Sequence, residues 1–215
     1  SRGLGDVYKR QPKYGSINER RNQLHEVIRL SGMNLIIDDS DHPLIIKVAS
    51  IQAARMQVYF IDNEEYFHRK YTVADSRGRS FEDNDERMIF FARGVLETVR
   101  KLRWSPDLVH CHGWFTSLVP LYIKKAYRED PLFSESKVIF SLYNKGFDVP
   151  LSRNFSQKLL VDGVSPNHVS MVEEPVYENL LSLAATYSDG LVRGSATLPE
   201  MVDRVMKDSG KPVMD

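Results

Sequence analysis

Two loops of this chain combine residue types that could bind or act on a small polar ligand. One carries the string His-Cys-His-Gly-Trp at residues 110–114, and the other carries Tyr-Asn-Lys-Gly at residues 143–146. Each directly follows an apolar run typical of a buried strand. In an open parallel sheet, ligands bind beyond the carboxyl ends of the strands, where neighbouring loops converge. We therefore expect the two loops to share one polar pocket.

The His-Cys-His string has the residue types of a zinc site, because imidazole and thiolate both bind that metal. On a strand, however, His110 and His112 share one face while Cys111 points to the other. The chain has no second cysteine, and its remaining histidines, at 25, 42, 68 and 168, lie in unrelated contexts. We expect no metal, and hydrogen-bonded histidines at a strand end are the simpler interpretation.

Trp114 and Thr116 fall in the first turn of the helix predicted after this strand. Free backbone N–H groups there favour an anionic or hydroxyl-rich ligand. A tryptophan beside histidines can provide a flat surface on which a sugar ring packs. It is equally typical of core packing, and the residues alone leave both interpretations open. The chain contains no Gly-x-Ser-x-Gly elbow, Walker loop or His-Glu-x-x-His motif. The reaction type is therefore not evident from these residues.

The pattern of apolar runs predicts the elements that position the two loops. The first third is strand-rich, with apolar runs at residues 27–30, 35–37, 44–48 and 56–61. A long amphipathic helix is predicted over residues 83–103. The second half alternates strands at residues 107–111, 137–142 and 190–192 with helices at residues 114–127, 155–161, 175–187 and 197–206. Such alternation indicates parallel crossover units, and hence an α/β fold with a doubly wound, mostly parallel sheet.

Composition excludes several classes of partner. The 215 residues include 29 Lys and Arg against 29 Asp and Glu, so the formal net charge is zero, which argues against binding to nucleic acid. No apolar run is long enough to span a bilayer, so no membrane partner is expected. A single cysteine cannot form an intramolecular disulfide, which indicates a cytoplasmic protein.

The first eleven residues are set apart from the rest of the chain. Residues 1–11 have no periodic apolar face, and we interpret them as a non-native or artefactual leader. Their Gly3 and Gly5 suggest a dinucleotide fingerprint only weakly, because Tyr8 stands where a third glycine belongs.

The string at residues 105–122, Ser-Pro-Asp-Leu-Val-His-Cys-His-Gly-Trp-Phe-Thr-Ser-Leu-Val-Pro-Leu-Tyr, resembles the N-terminal domain of the bacterial glycogen and plant starch synthases. That domain carries Pro-Asp-x-x-His-x-His-Asp-Trp-x-x-x-Leu-x-Pro. Further segments match in the same order, at residues 12–15, 58–67, 137–144, 187–189 and 197–201. The resemblance covers nearly everything from residue 12 to about residue 204.

The resemblance implies a Rossmann-like first lobe of a two-lobed GT-B glycosyltransferase. Such enzymes transfer glucose from a nucleotide sugar, typically ADP-glucose and otherwise UDP-glucose, to an α-1,4-glucan, with retention and without metal or cofactor. Residues 12–215 would form this lobe without its first strand and helix. The catalytic glutamate and the Lys/Arg pair would lie in a C-terminal domain absent from the chain, which is then inactive alone. The expected ligand-binding side chains are His110, His112, Trp114, Thr116, Tyr143 and Asn144.

Two departures from the family pattern keep other functions open. Gly113 stands where the family has aspartate, and Tyr143 stands where it has histidine. One alternative is therefore a degenerate relative that binds glucan without transferring sugar. The other is a generic Rossmann nucleotide-binding or oxidoreductase module, against which the missing Gly-x-Gly-x-x-Gly motif counts. The sequence predicts neither the donor nucleotide nor the oligomeric state.

Overall fold

A computed structural model describes residues 6–215. The chain divides into two compact units, Ser1–Phe81 and Glu82–Asp215. Within the described residues, no helix is both long and apolar enough to cross a membrane.

The first unit is the strand-rich region predicted from the sequence. Its elements are the strands β1 (Tyr8–Pro12), β2 (His25–Glu26), β3 (Met33–Ile37), β4 (Ser40–Ile51) and β5 (Met56–Asp62), with the short helix α1 (Glu64–Phe67). The sheet order is β1-β5-β4-β2, with β3 also paired to β4. Among the described strands of this unit, only the β1–β5 pairing is parallel. One predicted strand run is different, because Ile28–Leu30 forms a 3-10 turn instead of continuing a strand.

The β3–β4 hairpin shows how local sequence sets this sheet. Its two-residue turn is Asp38 and Asp39, both with positive φ, at 48° and 63°. Aspartate tolerates this left-handed conformation better than most residues, and two such residues in succession match the twist of a hairpin. The alternating residues Leu35 and Ile37 then face the core, where each is almost fully buried.

The strand β1 includes residues that the sequence assigned to a leader. Its residues 8–11 pair with β5, with Lys9 opposite Val58 and Gln11 opposite Phe60. Residues 1–5, with Gly3 and Gly5, lie outside the described part. That residues 1–11 are foreign to the protein stays a prediction.

The second unit is the parallel α/β region predicted for the second half. Its strands β6 (Leu108–His112), β7 (Lys137–Leu142), β8 (Gly190–Arg193) and β9 (Val213–Met214) pair in parallel in that order. Its helices are α2 (Asn84–Leu102), α3 (Leu118–Lys124), α4 (Phe155–Lys158), α5 (Tyr177–Tyr187) and α6 (Glu200–Asp208). Helices α2, α3, α5 and α6 pack one against the next. The predicted α/β fold, with a Rossmann-like parallel sheet and a strand-rich first third, is confirmed.

Helix α2 agrees closely with its prediction, and other helices are shorter than predicted. Acidic residues crowd the start of α2 and basic residues its end, which complements the helix dipole. The predicted helix 114–127 instead opens with the 3-10 turn Trp114–Thr116 before α3. Pro120 lies in the first turn of α3, where its missing N–H costs no hydrogen bond. Helix α6 begins at Glu200, later than predicted, with Pro199 as its N-cap, because proline disfavours the helical conformation in the residue before it.

Candidate functional site

The candidate site lies at the carboxyl ends of β6, β7 and β8, where three loops meet. Gly113 N–H donates to the Ser141 carbonyl over 3.1 Å, which joins the loop after β6 to the end of β7. Gly194 N–H donates to the Leu142 carbonyl over 2.7 Å, which joins the loop after β8 to β7. Asn144 N–H in turn donates to Ser195 Oγ over 3.1 Å. The structure thus brings the two chemistry-bearing loops together, and it adds a third loop that the sequence did not single out.

The two histidines of the first loop form a stacked pair. The ring centroids of His110 and His112 are 4.0 Å apart with 29° between the ring planes. Burial and the neighbouring His112 lower the pKa of His110. Cys111 points to the opposite face, where complete burial raises the pKa of its thiol to about 12. The strand geometry therefore separates the sulfur from both imidazoles, as the alternation of side chains predicts.

Each imidazole has a hydroxyl partner on the neighbouring strand or loop. His110 Nε2 lies 2.6 Å from Ser141 Oγ, and His112 Nδ1 lies 2.6 Å from the Tyr143 hydroxyl. In the parallel register His110 lies opposite Ile139 and His112 lies opposite Ser141, so each histidine bonds to a hydroxyl two residues further along the neighbouring chain segment. Ser141 was missing from the sequence-based set of site residues, since nothing in its local sequence indicates a role.

Gly113 has a backbone conformation that other residues rarely adopt. Its φ of 79° and ψ of 167° fall in a region populated almost only by glycine. The carbonyl of Gly113 accepts the Thr116 hydroxyl over 2.8 Å and the Thr116 N–H over 3.1 Å. The hydroxyl proton of Thr116 therefore stabilises the 3-10 turn, and toward a ligand this hydroxyl can act only as a hydrogen-bond acceptor.

An aromatic cluster borders the histidines. Trp114 makes an edge contact with Phe147 at 4.9 Å between ring centroids, and Phe147 makes another with Tyr177 at 5.2 Å. The Tyr177 hydroxyl donates to the Lys145 carbonyl over 3.2 Å. A Cβ at Gly146 would collide with the Tyr177 ring. Trp114 is half-buried, so it packs against this cluster and still presents part of its surface.

The loop after β7 is held in place by the start of α2. The buried carboxylate of Asp85 accepts the Ser152 hydroxyl, and Lys158 Nζ lies 3.0 Å from the same oxygen. The side chain of Lys158 is only 8% exposed, and its ammonium also lies 3.7 Å from Glu86. From the sequence, Asp85 was recognised only as an acidic residue that complements the helix dipole. Its partners Ser152 and Lys158 lie 67 and 73 positions further along the chain, so the local sequence carries no signal of these contacts.

A second polar cluster, in the first unit, has the composition of a cation site. Glu19, Asp62 and His68 bring their ligand atoms within 4.8 Å of one another. Lys47 Nζ already lies between the two carboxylates, 2.6 Å from Glu19 and 2.8 Å from Asp62. The buried Lys13 adds a second ammonium 3.2 Å from Glu19. Two lysines thus supply the positive charge, and the cluster is an ion-pair network.

Comparison with known proteins agrees with the resemblance inferred from the sequence. Residues 3–209 match the family model described as "Starch synthase catalytic domain". A glycogen synthase of Chlorobium limicola is 39% identical over 155 residues, which is 72% of this chain and 32% of that protein. A glycogen synthase of Chlorobium phaeovibrioides is 34% identical over 201 residues, which is 93% of this chain and 40% of that protein.

The fold is similar to that of a solved plant structure. The catalytic domain of starch synthase IV from Arabidopsis thaliana, bound to ADP and acarbose, matches with a TM-score of 0.72 at 16% identity. The match covers 95% of this chain and 43% of that one. The chain therefore spans less than half the length of these similar proteins. The chain belongs to the starch synthase catalytic domain family.

Proposed function

We propose that this chain is part of a retaining glucosyltransferase that transfers glucose from a nucleotide sugar to an α-1,4-glucan. Its family membership, together with the histidine pair at the junction of three strand ends, is the observation that carries the proposal. The Arabidopsis relative was solved with ADP and acarbose, which supports ADP-glucose as the donor, with UDP-glucose as the alternative.

The site residues have chemistry suited to a sugar. Imidazole edges at His110 and His112 can exchange hydrogen bonds with sugar hydroxyls, and the exposed part of Trp114 can pack on a sugar ring. Tyr143 and the exposed Asn144 extend the polar surface along the next strand end. We assign these residues to holding and orienting the sugar, and we propose no metal or cofactor.

We also propose that this chain alone does not catalyse transfer. In the family, the glutamate and the Lys/Arg pair that stabilise the developing charge lie in the second lobe, and losing such groups typically costs several kcal/mol of activation free energy. We further propose a cytoplasmic location, which the single cysteine supports. The balanced charge argues against a nucleic-acid partner, and the lack of a long apolar run in the sequence argues against a membrane partner.

The test compares the full-length parent protein with this chain. Incorporation of labelled glucose from ADP-glucose or UDP-glucose into glycogen should occur with the parent and not with the chain. His112→Ala in the parent should lower incorporation at least tenfold, whereas His25→Ala, at an exposed position in the first unit, should leave it unchanged. Equal activity of both variants would contradict the assignment of the site.

Gly113 and Tyr143 also favour a second function, that of a glucan-binding relative without transfer activity. Both replace family residues at the candidate site, aspartate and histidine respectively. One measurement distinguishes the two functions. If the parent protein binds glucan but incorporates no glucose from either nucleotide sugar, the glucan-binding function is supported and the transferase function is wrong.

A further inference from the structure

Two hydroxyls face the stacked histidines, and their distances indicate which atom donates. Both O···N separations are 2.6 Å, from Ser141 Oγ to His110 Nε2 and from the Tyr143 hydroxyl to His112 Nδ1. Hydrogen bonds from N–H to oxygen usually measure 2.7–3.2 Å, whereas bonds from O–H to oxygen measure 2.5–3.0 Å. The distances therefore favour hydroxyl protons shared with ring nitrogens that act as acceptors.

A ring nitrogen that accepts a hydrogen bond carries no proton, so the proton of a neutral imidazole must then be on the other nitrogen. A neutral imidazole has one N–H and one acceptor nitrogen. If His112 accepts at Nδ1, its proton is on Nε2, and if His110 accepts at Nε2, its proton is on Nδ1. The rings stack at 4.0 Å, so a charge on either would be disfavoured by a charge on the other. Simultaneous charge on both rings is therefore disfavoured, and two neutral rings with these acceptors would be opposite tautomers, His110 with its proton on Nδ1 and His112 with its proton on Nε2.

The surrounding backbone is adapted to the phenol ring of Tyr143. A Cβ at Gly194 would lie 2.7 Å from Tyr143 Cε1 and 2.8 Å from the Leu142 carbonyl oxygen, which is too close for any residue larger than glycine. A Cβ at Gly113 would lie 3.9 Å from Tyr143 Cδ2. Glycines at these two positions therefore border the ring on the loops after β6 and β8.

We propose that Tyr143 is a positioning residue, which donates its phenolic proton to His112 Nδ1 and holds His112 as the neutral Nε2–H tautomer. In this tautomer the N–H group of His112 is Nε2–H, and we assign a sugar hydroxyl oxygen as the acceptor of that N–H in the ligand complex. The ligand class rests on the proposed function, whereas the tautomer does not. Tyr143 thus replaces the family histidine with a group that sets the donor pattern of His112.

The tautomer is measurable on this chain without any enzymatic assay. Long-range ¹H–¹⁵N correlation spectra of the ¹⁵N-labelled chain, with His112→Ala for assignment, distinguish protonated from unprotonated imidazole nitrogens. We expect an unprotonated Nδ1 and a protonated Nε2 for His112 at pH 7.5. A proton on Nδ1 of the unsubstituted chain would overturn the proposal, and this measurement needs no variant at Tyr143.

Two hydroxyl deletions then separate the partners. Tyr143→Phe should shift the His112 nitrogens toward a mixture of tautomers and leave those of His110 in place. Ser141→Ala is the matched control and should do the reverse. An unchanged His112 spectrum in folded Tyr143→Phe would show that the phenol does not set the tautomer.

Kinetics in the full-length parent tests the consequence for the ligand. Loss of one hydrogen bond that orients a donor is expected to lower kcat/KM about fivefold in Tyr143→Phe. Tyr71→Phe, which deletes the same atom at an exposed position, should leave kcat/KM unchanged. If the tautomer is as expected but the unsubstituted parent transfers no glucose, the proposed function fails and the positioning role of Tyr143 stands.

Discussion

Replacing Asp85 with asparagine removes the charge that holds the loop after β7 against the start of α2. The carboxylate is fully buried, accepts the Ser152 hydroxyl and lies 3.0 Å from the ammonium of Lys158, whose side chain is 8% exposed. Removing one partner of a buried ion pair costs about 3–5 kcal/mol. Glu86, 3.7 Å from the same ammonium, remains as a weaker partner, so we expect a loss of about 2–4 kcal/mol.

The assay is thermal and urea unfolding of the chain, followed by circular dichroism. For a chain of this size, 1 kcal/mol shifts Tm by roughly 2–4 °C, so a loss of 3 kcal/mol lowers Tm by about 6–12 °C. Ser152→Ala removes only a neutral donor from the same carboxylate and should cost about 1 kcal/mol. Arg204→Ala breaks an exposed ion pair with Glu178 and should leave Tm nearly unchanged.

A double variant tests the physical reason for the Asp85 effect. Replacing both partners, as in Asp85→Asn with Lys158→Met, removes the buried ammonium that the single change leaves poorly compensated. The double variant should therefore be more stable than the sum of the two single losses predicts. Additive losses, or a Tm for Asp85→Asn within about 1 °C of the unsubstituted chain, would refute the assignment of a buried charge pair.

Further predictions concern single residues of the strand ends. Gly113→Asp, which restores the family residue, should destabilise the chain by about 1–3 kcal/mol in urea unfolding, because the φ of 79° and ψ of 167° suit only glycine. Cys111 should resist thiol reagents at pH 8 until the chain unfolds, because burial raises its pKa to about 12. His110 should titrate below pH 6.5 by NMR, because burial and His112 lower its pKa. The folded state then binds this proton less well than the unfolded state, so the contribution of His110 to stability falls as pH drops from about 6.5 to the folded pKa.

Local sequence pattern was sufficient to predict several elements of the fold and the faces on which the side chains of β6 lie. Periodicity predicted α2 and the run at 137–142 that became β7, and side-chain alternation on β6 placed His110 and His112 on one face with Cys111 on the other. Local pattern also identified both loops of the candidate site. It failed where a short apolar run, Ile28–Leu30, fits a strand and a turn equally well.

The contacts that shape the site were not predictable in the same way. Four residues of the site contact partners that are distant in sequence, and their local sequence does not distinguish them from ordinary loop or helix residues: Phe147, Tyr177, Ser152 and Gly194. Gly194 is informative only once the ring of Tyr143 is placed beside it. Such residues are identified by close approach in space, for which a single sequence holds no periodic signal.

The wide sequence separation of the hydrogen bonds at the strand ends has a consequence for how the chain folds. His112 and Tyr143 are 31 residues apart, and Asn144 and Ser195 are 51 apart. Contacts between residues this far apart in sequence generally form late, because the entropy of closing the loop is lost before the contact stabilises the chain. Helix α2 can therefore form early, whereas the hydrogen bonds of the histidine pair must wait until the crossover from β6 to β7 has docked, and the Asn144–Ser195 bond must wait for the next crossover, from β7 to β8. In refolding experiments, the imidazole signals should be among the last to reach their native positions.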